Sequence, residues 1–454
     1  MLRSINPATG ETTAEYPEMT TQEANRALRV AESGFKAWSR TDFVERAALL
    51  NTVGEALLHR IDELARLITT EMGKAISESR AEIEKCSLAC HYFARHGEAM
   101  LADREVPLDD STAFVTHQPI GTLLAIMPWN FPFWQTIRAA APPLMAGNAV
   151  VLKHATNTTG CALAIGEVFR ASGFHEGVFG VLRVPGSAMT RIVKHRAIAA
   201  VTITGSTAAG RKVAAAAGSA LKKTVLELGD SDPYVVLEDA DLDHAARVCA
   251  KARLINNGQS CIAAKRFIVI DSVRPAFEER LVREMAAYRQ GDPMDENTRL
   301  GPMARHDLRD ELDGQVRRSV EQGAQLLGGG SIPDGPGAFY PPTVLTDVKP
   351  GMPAFDEELF GPVAAVVSAR SEKEAIQLAN KSPFGLGAAV FTRDAERGRR
   401  IARDELHAGV VAVNTFVRSD PRLPFGGVGD SGYGRELSEY GIREFVNIKS
   451  MMPG

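Results

Sequence analysis

Short apolar runs alternate with helical patterns through most of this chain, and this alternation limits the folds that it can adopt. A first set of strand-like runs occupies residues 120–127, 149–153, 178–184, 199–204 and 224–228. Segments long enough to form a helix separate these runs. Parallel strands need such crossovers, so the pattern predicts βαβ units and a mostly parallel sheet.

A second set of strand-like runs follows residue 261, at 266–270, 363–367, 387–392 and 409–414, with amphipathic helices between them. Residues 21–102 form a charged region with a helical pattern that precedes the first set. A chain of 454 residues that is 44% hydrophobic can bury two cores. We therefore expect an α/β protein with two large domains.

Composition excludes several classes of function. A net charge of -4 without a basic stripe argues against nucleic acid, and no apolar stretch suits a signal peptide or a bilayer span. The five cysteines are sparse and lack the spacing of a zinc finger, so we expect reduced thiols, no metal and a cytoplasmic protein. Cys86 and Cys90 share a helix face, where small buried hydrophobic residues are the expected interpretation.

Three residues have the chemistry that acyl transfer through a thioester needs. Cys261 ends the polar stretch Asn-Asn-Gly-Gln-Ser-Cys, which predicts a nucleophile on a loop. Asn130 lies in Pro-Trp-Asn-Phe-Pro after the run 120–127, and its amide suits an oxyanion. Glu227 ends another apolar run and suits the activation of water, although a lone glutamate there is commonly a surface or capping group.

A glycine-containing turn gives a first indication of a nucleotide cofactor. The run 199–204 leads into Gly-Ser-Thr-Ala-Ala-Gly at residues 205–210, followed by an alanine-rich helix at 211–220. Glycines at the start of a helix let backbone N–H groups approach a pyrophosphate. The pattern departs from the usual G-x-G-x-x-G, so an ordinary strand-to-helix turn explains it about equally well.

The order and spacing of these motifs resemble the aldehyde dehydrogenase superfamily over nearly the whole chain. The resemblance implies a Rossmann-like cofactor-binding domain at residues 1–229 and an α/β catalytic domain at 230–428. A small bridging segment for oligomerisation would comprise residues 429–454, with 103–119 contributing. The resemblance also implies a homodimer or homotetramer.

In this family, the matching residues bind the cofactor at several points. Gly205 and Ser206 would lie against the pyrophosphate, and Lys153 would hold the adenine ribose. The motif Glu-Leu-Phe-Gly-Pro at 358–362 resembles the part that contacts the nicotinamide ribose and ring. The resemblance thus implies a cofactor site formed by Trp129, Lys153, Thr156, Gly205, Ser206, Glu358 and Phe360.

Thr156 bears on the choice of cofactor. NAD-preferring members often carry a glutamate three residues after the lysine that matches Lys153, and this chain has Thr156 there. A carboxylate beside a 2′-phosphate would repel it, whereas a hydroxyl would not. We therefore expect NADP to be preferred, with NAD as the alternative.

The resemblance implies oxidation of an aldehyde to a carboxylate through a thioester on Cys261, with Asn130 at the oxyanion and Glu227 activating water. Two alternatives stay open. A CoA-acylating member would release the thioester to CoA, against which an intact Glu227 argues. A catalytically silent member is suggested only by Asp230, which stands where the family usually has glycine.

Arg138 suggests the class of aldehyde. It follows Asn130 by eight residues on the predicted helix 133–145, and an arginine can bind a carboxylate through two hydrogen bonds. Succinate-semialdehyde dehydrogenases carry an arginine at the matching place, so we expect succinic semialdehyde to be converted to succinate. The alternatives are another semialdehyde or an aliphatic aldehyde. The predicted substrate residues are Arg138, Phe131, Trp134 and Arg418.

Overall fold

The computed structural model describes residues 1–452. Its N-terminal part is a hairpin followed by four helices, which matches the helical pattern predicted for 21–102. Thr20 begins the first helix with a capping box, in which its side chain and that of Glu23 each accept a backbone N–H of the other. The elements are β1 (Leu2–Ile5), β2 (Thr12–Tyr16), α1 (Thr21–Trp38), α2 (Phe43–His59), α3 (Ile61–Met72) and α4 (Ile76–Met100).

A hairpin and a six-stranded sheet follow. Five strands of this sheet are parallel and coincide with the five runs predicted from the sequence. The elements are β3 (Arg104–Pro107), β4 (Thr112–Pro119), β5 (Thr122–Met127), α5 (Pro132–Met145), β6 (Ala149–His154), α6 (Thr159–Ala171), β7 (Phe179–Val181), α7 (Met189–Val193), β8 (Ile198–Thr204), α8 (Thr207–Gly218) and β9 (Lys223–Glu227).

Helices cover both faces of this sheet. Side chains alternate between the two faces along a strand. In β5, Ala125 and Met127 therefore pack against α2, α4, α5 and α6, while Leu124 and Ile126 pack against α1 and α8. Burial on both faces explains why β5 is apolar at nearly every position.

The second sheet has seven strands in the order β12-β13-β14-β11-β10-β15-β16, and only β12 is antiparallel. The predicted runs at 266–270, 363–367, 387–392 and 409–414 correspond to four of these strands. The elements are β10 (Pro233–Val236), α9 (Leu242–Leu254), β11 (Arg266–Ile270), α10 (Arg274–Ala286), α11 (His306–Glu321), β12 (Gln325–Gly328), β13 (Thr343–Thr346), α12 (Pro353–Asp356), β14 (Val363–Ala369), α13 (Glu372–Ala379), β15 (Gly387–Phe391), α14 (Ala395–Arg400) and β16 (Val410–Val413).

The C-terminal residues return to the first half of the chain as β17 (Gly432–Tyr433), α15 (Ser438–Glu444) and β18 (Val446–Met451). Strand β17 completes the first sheet beside β9, and β18 pairs with β4 in a three-stranded antiparallel sheet. The predicted α/β fold is confirmed. None of the helices between residues 1 and 452 has both the length and the apolar composition needed to cross a membrane.

Asp230, which departs from the family pattern, lies between the two sheets. One of its oxygens accepts the backbone N–H groups of Leu386 and Gly387, at 3.2 and 3.0 Å, and the other accepts the Ser431 hydroxyl at 3.3 Å. The carboxylate is buried and has hydrogen-bond partners. Asp230 therefore connects β9, β15 and the C-terminal segment.

Replacing Asp230 with alanine should lower the free energy of unfolding by about 2–4 kcal/mol, because two buried N–H groups lose their acceptor. Urea denaturation followed by circular dichroism would measure the change. Asp334→Ala, in an exposed loop, is the matched control and should shift stability by less than about 0.5 kcal/mol. Equal stability of the two variants would show that the hydrogen bonds of Asp230 do not stabilise the fold.

Candidate active site

The candidate site lies at the carboxyl edge of the first sheet. Asn130 follows β5, Lys153 lies near the end of β6, Gly205 follows β8 and Glu227 ends β9. Parallel strands bring their carboxyl ends to one edge, which is where open α/β sheets bind ligands. The fold therefore brings together residues that are up to about a hundred positions apart in the chain.

Cys261 follows a loop with an unusual backbone. Asn256 and Asn257 both have a φ of 56°, and Gly258 has a φ of 73°. Asparagine tolerates this left-handed conformation better than most residues. At Gly258, a Cβ atom would also lie 2.4 Å from the carbonyl carbon of Gly361, so only glycine fits.

Side-chain amides fix this loop from several directions. Asn257 Nδ2 donates to the carbonyl oxygens of Gly73 and Pro302, at 3.0 and 2.8 Å. Gln259 Oε1 accepts the N–H of Ala304 at 2.9 Å. These buried hydrogen bonds hold the nucleophile loop in one conformation.

Asn130 joins the same network. Its Nδ2 donates to the Gln259 carbonyl at 3.1 Å, and its own carbonyl accepts Asn256 Nδ2 at 2.9 Å. An amide nitrogen carries two N–H groups, so one remains for a ligand oxygen. The predicted oxyanion donor therefore lies directly against the nucleophile loop.

Two cavities meet at Cys261. The first, of about 230 Å³, is lined by Phe131, Trp134, Arg138 and Arg418 together with Cys261. The second, of about 460 Å³, is lined by the predicted cofactor residues Trp129, Gly205, Ser206, Glu358 and Phe360. Asn130 also lines this second cavity, and Cys261 lines both. A thiol between two cavities can reach ligands in both.

The titration of Cys261 and Glu227 is strongly perturbed. Burial raises the pKa of the Cys261 thiol to about 12, although Arg138 and Lys265 oppose the shift. Burial also raises the pKa of Glu227 well above its usual value. Neither oxygen of Glu227 has a hydrogen-bond partner among the described residues. A carboxyl group with a raised pKa is a better proton acceptor than an ordinary glutamate.

Glu358 and Phe360, the residues predicted at the nicotinamide end of a cofactor, both line the second cavity. Phe360 packs edge-to-face on Trp129, with 5.7 Å between ring centroids. Glu358 Oε1 accepts the N–H of Asp230 at 3.0 Å and lies 3.7 Å from Lys265 Nζ. The two predicted residues are therefore held in position across the second cavity from Gly205.

Lys153 and Thr156 line neither cavity. Lys153 is half-buried, and burial lowers its pKa. Thr156 is exposed just beyond the end of β6. Both lie at the carboxyl edge of the sheet. Their assigned contacts to a ribose remain predictions.

Lys265 is a site residue that the sequence did not reveal. Its side chain is fully buried, and Nζ donates to the carbonyl oxygens of Cys261, Ala263 and Ser260 at 2.6, 3.1 and 3.3 Å. The ammonium thus holds the backbone on both sides of the thiol. Its only sequence signal was a lysine four residues after the cysteine.

Arg138, the residue predicted to bind the carboxylate of the substrate, lies on α5. It is almost completely buried, and its Nε forms an ion pair with Glu436. One terminal nitrogen donates to the Thr204 hydroxyl at 3.3 Å, and the guanidinium lies 4.8 Å from the centre of the Phe425 ring. Arg138 does line the first cavity, but an internal carboxylate already neutralises it.

Phe131, Trp134 and Arg418 also line the first cavity. Phe131 lies under the Lys74 ammonium, 4.1 Å from the ring centre, and Trp134 lies under Lys85 at the same distance. Arg418 is exposed at the rim. Residues 1–452 contain no group of three or more His, Cys, Asp or Glu side chains that could hold a metal ion.

Helix α4 supplies two carboxylates behind the site. Glu82 accepts the N–H groups of Phe133 and Trp134 at 2.8 and 2.9 Å, at the start of α5, and pairs with buried Lys74. Glu78 accepts the Asn256 N–H through both oxygens, at 3.0 and 3.1 Å. One helix therefore supports both the Asn130 segment and the nucleophile loop.

The two α/β sheets and the two cavities that meet at a thiol fit the class of dinucleotide-dependent dehydrogenases. The model of the aldehyde dehydrogenase family matches residues 1–451. The chain belongs to the aldehyde dehydrogenase family, as the motifs predicted.

Relatives show which branch the chain is similar to. It is 48% identical over 448 residues to the NAD(P)+ succinate semialdehyde dehydrogenase Sad of Escherichia coli (strain K12), covering 99% of this chain and 97% of that protein. It is 47% identical to a probable NADP+ succinate-semialdehyde dehydrogenase of Synechocystis, covering 99% of each. A crystal structure of succinic semialdehyde dehydrogenase from Streptococcus pyogenes with NADP+ aligns with a TM-score of 0.97 at 34% identity, covering 100% of both chains.

Glu82→Gln should lower the free energy of unfolding by about 3–5 kcal/mol, because it leaves the fully buried Lys74 charge without its partner. The matched double variant, which also carries Lys74→Met, should lose less than the sum of the two single changes. Denaturant titration of the three variants measures this coupling. Additive losses would mean that Glu82 and Lys74 do not interact.

Proposed function

We propose that this protein oxidises succinic semialdehyde to succinate, with NADP as the preferred cofactor and NAD as the alternative. The observation that carries the proposal is the position of Cys261 between the two cavities. A thiol in this position can attack an aldehyde from the first cavity while a nicotinamide ring occupies the second. The relatives named for succinic semialdehyde support the choice of aldehyde.

The second cavity suits a dinucleotide. A side-chain atom at Gly205 would meet nothing within 4 Å, so the backbone there is open to a ligand. Ser206 caps the first turn of α8, whose N-terminus favours an anionic group such as a pyrophosphate. In the proposal, Gly205 and Ser206 hold the pyrophosphate, Glu358 holds the nicotinamide ribose, and Trp129 and Phe360 flank the ring.

The adenine end of the cofactor accounts for the preference for NADP. Lys153 is a half-buried ammonium that forms no ion pair with any described residue, and Thr156 adds no negative charge beside it. A 2′-phosphate would meet a cation and a hydroxyl there instead of a carboxylate. A relative from Streptococcus pyogenes has been crystallised with NADP+.

The proposed chemistry begins with a thiolate. Cys261 has a raised pKa, so it needs a base, and Glu227 is the buried carboxylate suited to accept the proton. The thiolate attacks the aldehyde carbon, and the oxyanion accepts hydrogen bonds from Asn130 Nδ2 and the Cys261 N–H. A dinucleotide held by Gly205, Ser206 and Glu358 would supply the acceptor for the hydride that leaves this adduct, and a thioester then remains on Cys261. Glu227 then deprotonates the water that releases the carboxylic acid from Cys261.

The structure favours hydrolysis over the two alternatives. Asp230, the departure that suggested a silent member, accepts backbone and hydroxyl hydrogen bonds, which gives it a structural role. Neither Asp230 nor Glu227 is among the residues that line the two cavities. Glu227, the predicted base for hydrolysis, remains buried at the end of β9. Transfer of the acyl group to CoA would not need this carboxylate.

The proposal extends to the organisation of the protein. We assign residues 1–229 to a cofactor-binding domain and 230–428 to a catalytic domain, with residues 429–454 and 103–119 as the bridging segment. The sheet formed by β3, β4 and β18 exposes Ile448, which supports a role in a homodimer or homotetramer. The five cysteines are free thiols, which supports the proposed cytoplasmic location.

Glu227→Gln should slow the first turnover and then stop, because the amide can accept a proton from neither the Cys261 thiol nor water. Stopped-flow mixing should show a burst of NADPH that forms more slowly than in the wild type but approaches one equivalent per active site, followed by a steady rate that is roughly a hundredfold below the wild type. Cys261→Ala should show neither burst nor steady rate, while NADP binding by fluorescence titration is retained. A normal steady rate for Glu227→Gln would refute its role as the base.

Thr156→Glu should reverse the cofactor preference. The new carboxylate would repel a 2′-phosphate and accept hydrogen bonds from a ribose hydroxyl, so kcat/KM for NADP should fall roughly tenfold while that for NAD holds or rises. Initial rates with both cofactors and succinic semialdehyde measure this. The isosteric control Thr156→Val should change the ratio much less. An unchanged ratio in Thr156→Glu would remove Thr156 from the cofactor site.

A further inference from the structure

The first cavity contains a cation that none of the motifs predicted. Lys85 lies on α4, faces the cavity and is half-buried. Its Nζ lies 4.1 Å from the centre of the Trp134 ring and donates to Ser419 Oγ at 2.7 Å. A cation–π contact and a hydrogen bond therefore fix the position of this ammonium.

Lys85 and Arg138 differ in whether a carboxylate pairs with their positive charge. Arg138 is paired with Glu436, so its charge is balanced before any substrate enters. No carboxylate oxygen in residues 1–452 lies within 4 Å of Lys85 Nζ. Lys85 thus forms no ion pair in this part of the chain, although Glu78 and Glu82 also line the cavity.

Ser419 places a hydroxyl group beside the Lys85 ammonium. Its hydroxyl oxygen accepts the hydrogen bond from Lys85, and none of the described residues accepts a hydrogen bond from it in return. A hydroxyl has one proton to donate. Lys85 and Ser419 therefore present an ammonium and a free O–H group beside each other, which is a donor pair suited to a carboxylate.

We propose that Lys85 binds the carboxylate of the substrate directly and that it determines the preference for a semialdehyde over an uncharged aldehyde. Arg138 lines the same cavity and is held by Glu436. This inference rests on the function proposed above and assigns its specificity to one side chain. Cys261 lines the same cavity, so a short semialdehyde can present its aldehyde to Cys261 and its single carboxylate to Lys85.

The charge state of Lys85 is consistent with this role. Burial and nearby Arg138 lower the pKa of Lys85 to about 8, while Cys86, Glu82 and Asp420 oppose the shift. The side chain is therefore mostly a cation at pH 7 and mostly neutral at pH 9.5. A carboxylate ligand should bind less well as the pH rises through this range.

Lys85→Met tests the inference, because methionine keeps much of the side-chain volume and removes the charge. We expect kcat/KM for succinic semialdehyde to fall roughly 10- to 100-fold, as for the loss of one charged hydrogen bond, with kcat/KM for pentanal within about threefold of wild type. Succinate, as an inhibitor of pentanal oxidation, should weaken by a similar factor. Lys373→Met, on the exposed face of α13, is the matched control and should change none of these values.

The outcomes separate this inference from the proposed function. If wild-type protein oxidises pentanal but not succinic semialdehyde, the proposed function fails, and weaker inhibition of Lys85→Met by succinate would still support the carboxylate site. If Lys85→Met keeps the wild-type ratio of the two kcat/KM values and wild-type inhibition by succinate, the inference about Lys85 is overturned while the proposed function stands.

A measurement on the wild-type protein covers the case in which Lys85→Met does not fold. The KM for succinic semialdehyde should rise roughly tenfold between pH 7 and pH 9.5, because Lys85 loses its charge, while the KM for pentanal stays constant. Pentanal controls for the titration of Cys261 and Glu227, which affects both aldehydes. Parallel changes in the two KM values would overturn the inference.

Discussion

Two carboxylates on one helix hold the parts of the candidate site together. Glu82 binds the first N–H groups of α5, directly after the Asn130 segment, and Glu78 binds the N–H of Asn256. Asn130 and Asn256 then bond to each other's segments. The oxyanion donor and the nucleophile come from opposite halves of the chain, and their relative position depends on α4.

Some ionisable side chains of the site have a hydrogen-bond or ion-pair partner, and others have none. Lys265 is satisfied by three backbone carbonyls, and Arg138 is paired with Glu436. Glu227 has no partner, and its raised pKa follows from burial. Burying an ionisable group without a partner is costly, and such groups are concentrated where a protein handles protons. Glu227, which is expected to act on water, is therefore one of the buried groups without a partner.

The sequence predicted the two parallel sheets because their strands are buried on both faces and appear as continuous apolar runs. It missed β2 and β12, whose residues are mostly exposed, and also β10 and β13, which are buried but only four residues long. Motifs located Cys261, Asn130 and Glu227. They could not reveal the pairing of Arg138 with Glu436, since nothing in the local pattern links residues so far apart in the chain. Lys85 had no motif at all, because a lysine on a charged helix looks like an ordinary surface residue.

The return of the C-terminal segment to the first sheet has a consequence for biosynthesis. Strand β17 forms an edge of that sheet, and Glu436 contacts both Thr202 of β8 and Arg138 of α5. These residues are translated after the entire second sheet. Domains generally fold in order as they leave the ribosome. Here the half of the molecule that is made first is completed last, so the pocket around Arg138 forms only when translation is almost finished.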